Sequence, residues 1–262
     1  MNEFEQDHNI EIQKQFAMQA KRFDQEGYPL SNTEYLKWAI DNIPLNKDYL
    51  ALDNASGTGI LARALARYVK TVHAIDASRP MLQSGKEAAR REGINNIIFN
   101  EGFAQSLPYD DSFFDLTTCR LALHHFYDVY KPLQEMVRVT KTSGYIAIMD
   151  LVSPDDRQIS TFYNRLENLR DSSHTYALTE QEMLELFRRY GIDIIKAQTR
   201  DVEMVLDDWL DLTDAPKDSR AAITESLLQE LDGGKKTGMR PYIKDNKIYF
   251  LHTWMLIVGQ KV

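Results

Sequence analysis

Seven consecutive residues, Asp53-Asn54-Ala55-Ser56-Gly57-Thr58-Gly59, place an acid directly ahead of a run of small side chains. Small residues let a backbone pass close to a ligand, and a helix that starts after them presents free N–H groups. A second acid, Asp76, follows 23 residues after Asp53. A carboxylate at that remove can accept both hydroxyls of a ribose, so the pair suits the holding of a nucleoside. Nicotinamide and flavin enzymes share this arrangement, and the glycines could equally do no more than make a tight turn. A further pair, His124-His125, offers imidazoles that titrate near neutrality.

The elements that must position these residues alternate. Apolar runs at 49–53, 71–76, 96–101, 114–120 and 145–152 read as strands, the first two ending in acids. Between them, 60–69, 79–92 and 133–139 read as helices. Strand–helix–strand alternation with buried runs means parallel pairing and helices on both faces. Ahead of this unit, 8–25 and 33–42 read as helices, with Ser31 or Asn32 able to cap the second. After it, 155–170 and 179–190 read as helices and 192–203 and 247–260 as strands. The stretch 205–244 reads as helical, then turn-like around Gly233 and Gly234.

The glycine string is DxAxGTG rather than GxGxxG. Its leading acid can help hold an ammonium group, and a pyrophosphate would be repelled there. Four strings complete the pattern: ALDNASGTG, HAIDASRPML, EGFAQSLPYDDSFFDLTTCRLALHHF and VRVTKTSGYIAIMD. In order and spacing they resemble class I S-adenosylmethionine-dependent methyltransferases of the group that includes the ubiquinone/menaquinone-biosynthesis enzymes, over residues 49 to 150. The resemblance implies a doubly wound, Rossmann-like, seven-stranded sheet of order 3-2-1-4-5-7-6, its last strand antiparallel, with helical caps. Its divisions are an N-terminal cap (1–45), a methyltransferase domain (46–204), a helical insertion (205–244) and the last strand (245–262).

Carried over residue by residue, the resemblance implies S-adenosyl-L-methionine as cofactor. Ala55, Ser56, Gly57 and Gly59 would pass along its methionine part, Asp53 would help bind its amino group, and Asp76 would take the ribose hydroxyls. Ala77 and Met81 would border the adenine, and Phe103 and Ala104 would cover its other edge. Arg120 and Leu121 would lie beneath the sulfonium. Two departures stand out. Where many relatives have GDA, this chain has Gly102-Phe103-Ala104, so an acid for the adenine amino group is missing. The common LKPGG before strand five is Thr140-Lys141-Thr142-Ser143-Gly144, a turn difference of little consequence.

Methyl transfer is an in-line displacement that needs positioning and exclusion of water, and a general base only where the acceptor must lose a proton. His125, or His124, could be that base; either could instead order a loop through a backbone carbonyl. Arg170 and His174 could hold an anionic or carbonyl-bearing acceptor, while the same string reads as an ordinary helix C-terminus with cations near its carbonyls. Tyr28 and Trp209 are the aromatic residues singled out for an apolar acceptor pocket. The acids Asp207, Asp208, Asp211 and Asp214 read as a solvated helix face, and no metal is expected.

Composition narrows the partners. The 262 residues carry 43% hydrophobic and 27% charged side chains, enough for a real core. A net charge of −8 argues against broad nucleic-acid binding. One cysteine, Cys119, excludes an internal disulfide. No apolar run has the length of a signal peptide or a membrane span, so a cytoplasmic monomer or homodimer acting on a small molecule is expected. The competing readings are a cofactor-binding module without catalysis, a methyltransferase of RNA or protein, and a nicotinamide-dependent oxidoreductase. The acidic balance weighs against RNA, as does the absence of an Asn/Asp-Pro-Pro-Tyr string after strand four. The DxAxGTG loop weighs against a nicotinamide.

Overall fold

The short apolar runs become the centre of a sheet. In the computed structural model, which describes residues 32–262, β1 (Leu50–Asn54), β2 (Thr71–Asp76), β3 (Ile97–Glu101), β4 (Phe114–Arg120) and β5 (Thr140–Val152) pair in parallel. Ala51, Leu52, Val72, Ala74 and Ile75 are fully buried, as strands covered on both faces must be. The later strands are β6 (Ile192–Val205), β7 (Tyr242–Lys244) and β8 (Lys247–Lys261). The sheet path is β3-β2-β1-β4-β5-β8-β6, with β8 antiparallel to both neighbours. This is the expected order, with β8 as its seventh strand.

The difference is an eighth strand. β7 pairs with the start of β8, Tyr242 against Tyr249, through a hairpin whose tip residues Asp245 and Asn246 both have positive φ. Asp and Asn tolerate that conformation. Three residues are too few to show a period-2 pattern. β5 also starts earlier than expected: the 140–144 segment is part of the strand, with a register shift between the partners Phe114 and Leu116.

The helices are α1 (Thr33–Asn42), α2 (Ile60–Leu65), α3 (Arg79–Arg91), α4 (Tyr130–Val139), α5 (Arg157–Arg170), α6 (Glu180–Arg189), α7 (Leu206–Leu212) and α8 (Lys217–Leu231). Asn32 caps α1, its side chain accepting from the Glu34 N–H at 2.8 Å. α7 and α8 lie between β6 and β8 in the chain. Trp209 of α7 packs edge-on against Phe250 of β8, ring centroids 4.9 Å apart, and α8 packs on α5. The largest core cluster joins these helices to α1, α2 and the sheet. Among the described residues no helix is long and apolar enough to cross a membrane.

Candidate functional site

The loop from β1 into α2 carries three left-handed residues, Ala55 (φ 54°), Gly57 (φ 55°) and Gly59 (φ 69°). These bends let the Ser56 N–H reach the Ile75 carbonyl at 2.9 Å and the Gly57 N–H reach Asp76 Oδ2 at 2.8 Å. The loop after β1 is thereby tied to the tip of β2. Gly59 serves packing: a Cβ there would stand 3.0 Å from Cε1 of Phe99. Gly85 of α3 supports the loop from behind, where a Cβ would come within 2.6 Å of the Thr58 carbonyl oxygen.

Two acids flank this loop, Asp53 buried and Asp76 half-buried. Asp53 is 1% exposed; its Oδ2 accepts from the Ala62 N–H at 3.0 Å and its Oδ1 lies 3.1 Å from the Thr118 hydroxyl. Burial raises its pKa to about 7, against the lowering effect of those bonds and of Arg120. The Asp76 carboxyl is also raised by burial, against the lowering effect of three backbone N–H groups: Ser78 and Gly57, each at 2.8 Å, and Ala77. A carboxylate has about four lone-pair sites, so acceptor capacity remains for a further donor.

A cleft at this end of the sheet, about 930 Å³ with its open mouth included, brings most of the sequence-derived residues together. Asp53, Ala55, Ser56 and Gly57 line it from β1 and its loop, and Asp76, Ala77 and Met81 from β2 and the start of α3. Ala104 joins them from beyond β3, and Arg120, Leu121 and His125 from beyond β4. Arg120 is buried, which lowers its pKa to about 10 against the pull of Asp53 and Asp150; it stays charged.

Six further lining residues were not singled out in the sequence: Thr58, Ile60, Leu61, Gly102, Ala122 and Phe126. Ala122 and Phe126 flank the histidines, and Gly102 stands directly beyond β3, so their positions could have been read. Ile60 and Leu61 follow the same apolar spacing as core residues and gave no separate signal.

Other expected residues lie elsewhere. Gly59 closes the loop and is outside the lining. Phe103 is half-buried in a turn closed by the Ser106 N–H on its carbonyl, outside the lining. His124 turns away from the cleft to Asp150, 2.5 Å from Nδ1 to Oδ1. His125 lines the cleft, with its Nδ1 3.1 Å from the Ser173 carbonyl. Burial holds its pKa well below the ordinary value, reinforced by His124. Tyr28 falls outside the described residues.

Arg170, His174 and Trp209 belong to a separate buried cluster. Arg170 sits over the Trp209 ring, 4.9 Å from guanidinium carbon to centroid, and 3.8 Å from Glu167. Glu167 pairs with His252 at 2.8 Å. His174 Nε2 is 2.8 Å from Asn164 Oδ1, and its pKa is lowered by burial to about 4. Trp209 is 2% exposed, a core residue rather than a cleft wall.

Comparison with known proteins places the chain among methyltransferases. Residues 52–148 match the family model described as a methyltransferase domain. The chain is 32% identical over 204 residues to the uncharacterised methyltransferase YcgJ of Bacillus subtilis, covering 78% of this chain and 81% of that protein. The crystal structure of YcgJ superposes with a TM-score of 0.81, covering 88% of this chain and 99% of the other. A demethylmenaquinone methyltransferase of Geobacillus kaustophilus is 28% identical over 69% of this chain and 87% of its own length.

Proposed function

The chain belongs to the S-adenosylmethionine-dependent methyltransferases, and on that premise we propose that it methylates a small-molecule acceptor at the cleft, mainly by positioning the reactants and excluding water. The observation that carries this reading is the pair of acids on either side of the loop: buried Asp53, met by the Ala62 N–H of α2, and half-buried Asp76, met by the Gly57 N–H of the loop. The residues present fit the cofactor. Asp76 lines the cleft with acceptor capacity left for a ribose hydroxyl, and Ser56 Oγ is a buried hydroxyl without a hydrogen-bond partner among the described residues. Among the described residues no cluster of cations lines the cleft for a diphosphate, and Arg120 is the single Lys or Arg there.

In this reading Asp76 holds the ribose hydroxyls and Asp53 the amino group, along the loop of Ala55, Ser56 and Gly57. Ala77, Met81 and Ala104 border the adenine, and Arg120 and Leu121 face the methionine end. Bound S-adenosylmethionine supplies a methyl group already activated by its sulfonium. The chain's remaining part is to orient the acceptor and, where needed, to take its proton. His125 is the cleft imidazole placed to do so. A small acceptor is supported by the net charge of −8, and by the likeness to enzymes named for methylation of ubiquinone and menaquinone precursors.

The reading is tested by calorimetry with S-adenosylmethionine and S-adenosylhomocysteine, followed by a metabolite panel scored for release of S-adenosylhomocysteine. Micromolar binding and turnover of one acceptor are expected. Binding of NADH in place of both ligands overturns the cofactor assignment, and binding without turnover on any small molecule overturns the acceptor class.

A further inference from the structure

The geometry points to Asp150 and His124 as a pair of positioning residues that fix the turn from Leu121 to Phe126 and hold the His125 imidazole neutral, its lone pair on Nε2. This rests on the reading of His125 as the cleft group that meets the acceptor. Neither Asp150 nor His124 lines the cleft, yet four residues of the turn between them do: Leu121, Ala122, His125 and Phe126.

One carboxylate organises that turn. Asp150, 1% exposed near the end of β5, accepts at Oδ2 from the N–H groups of Ala122 (3.0 Å) and Leu123 (2.7 Å). Its Oδ1 accepts from the Leu151 N–H at 2.7 Å and lies 2.5 Å from His124 Nδ1. Leu121, at φ 52°, is held in a left-handed conformation that a non-glycine residue adopts only when its surroundings over-determine it. Those surroundings are the Asp150 bonds and the Leu121 N–H to the Met149 carbonyl at 2.7 Å. Thr175 closes the turn from the other side, its hydroxyl reaching the carbonyls of His124 and Phe126.

The same pair sets the state of His125. The Ser173 carbonyl can only accept, so the His125 Nδ1 that faces it carries the hydrogen, and in the neutral ring the lone pair is then on Nε2. Ser173 Oγ, also 3.1 Å from Nδ1, gives its own hydrogen to Asp171 Oδ1 and is likewise an acceptor. Among the described residues, the charged and titratable groups around His125 include His124 in the same turn, ring centroids 4.1 Å apart, with Asp150 behind it, and Asp171 and His174 in the loop after α5. Burial, then the adjacent His124 ring, disfavour a proton on His125; Asp171 pulls the other way. His125 thus remains a base.

Histidine-labelled protein followed by NMR reads this directly, with signals assigned through His125→Gln. In the wild type, His125 is expected to keep the Nδ1–H tautomer and not to titrate down to about pH 5. In His124→Gln, which keeps an amide donor for Asp150, its midpoint should rise by about one pH unit or more. In Asp150→Asn, the single tautomer should be lost. Should Asp150→Asn fail to fold by circular dichroism, His124→Gln decides alone. An unchanged His125 titration in folded His124→Gln overturns the proposal. S-adenosylhomocysteine binding by the wild type is measured alongside, because its absence would sink the methyltransferase site and leave the histidine titration still readable.

Discussion

Asp76 Oδ2 accepts the backbone N–H of Gly57 at 2.8 Å, so the acid at the tip of β2 also anchors the loop after β1. One side chain thereby shapes the loop and offers acceptors to what the loop holds. On the proposed reading, Asp76→Ala removes the carboxylate that accepts from the ligand's ribose, worth about 1.5–3 kcal/mol per hydrogen bond. Affinity for S-adenosylhomocysteine should fall by about tenfold or more by calorimetry. Wild-type affinity in this variant would show that the diol is held elsewhere.

Asp53 predicts a pH dependence. Its carboxyl is raised by burial to about 7, so below that pH the free protein carries it protonated. An ammonium group seated beside it favours the carboxylate, and binding must then expel a proton. Affinity should rise with pH up to about 7, by as much as about tenfold per unit, and level off above. Calorimetry in buffers of different ionisation heat counts the proton, and Asp53→Asn should flatten the profile. The stability of the free protein runs the opposite way. The folded pKa lies above the unfolded one, so between about pH 4 and 7 the folded state binds more protons and loses stability as pH rises. An affinity constant from pH 5.5 to 8 removes Asp53 from the ammonium site.

The contiguous part of the cleft was legible in the sequence because its chemistry is local. Asp53, Ala55, Ser56 and Gly57 occupy one turn, and Asp76 ends the adjacent strand, paired with β1 along its length. Long-range choices were not legible. Whether Arg170 faces a ligand or Glu167 and Trp209 depends on where α5 lies against α7. The partner of His124 is 26 residues away in the sequence and on another strand. Gly59 and Phe103 sit in the family's strings, but the sequence does not display their neighbours: Gly59 lies close to Phe99, and Phe103 stands outside the lining.

Gly85 links helix packing to the same loop. A Cβ at this position would stand 2.6 Å from the Thr58 carbonyl oxygen and 2.9 Å from the Phe99 ring, and backbone cannot swing aside as a side chain can. Gly85→Ala should push α3 away from the loop and cost about 1–3 kcal/mol, the usual range for overpacking. Because Thr58 lines the cleft, cofactor affinity should weaken with it. Thermal denaturation and calorimetry measure the two effects. A midpoint equal to that of the wild type would mean that α3 is not held against the loop in solution.

Glu167 tests the buried cluster beside the cleft. Its carboxylate is 1% exposed, 2.8 Å from His252 and 3.8 Å from Arg170. Burial works to raise its pKa, but the charges of His252 and Arg170 outweigh it and bring the value down to about 2. A folded pKa below the unfolded one contributes stability above about pH 4.5 that is lost as pH falls toward 2. Glu167→Ala leaves the Arg170 guanidinium buried with only Asp171, 3.6 Å away, as a carboxylate neighbour, and should cost about 3–5 kcal/mol at pH 7. Urea unfolding at pH 7 and pH 3 separates the contributions. The wild type should lose more stability between the two than Glu167→Gln, whose side chain cannot titrate. Equal losses in both proteins would place the acid sensitivity in other carboxylates and leave the cluster without the charge pairing described.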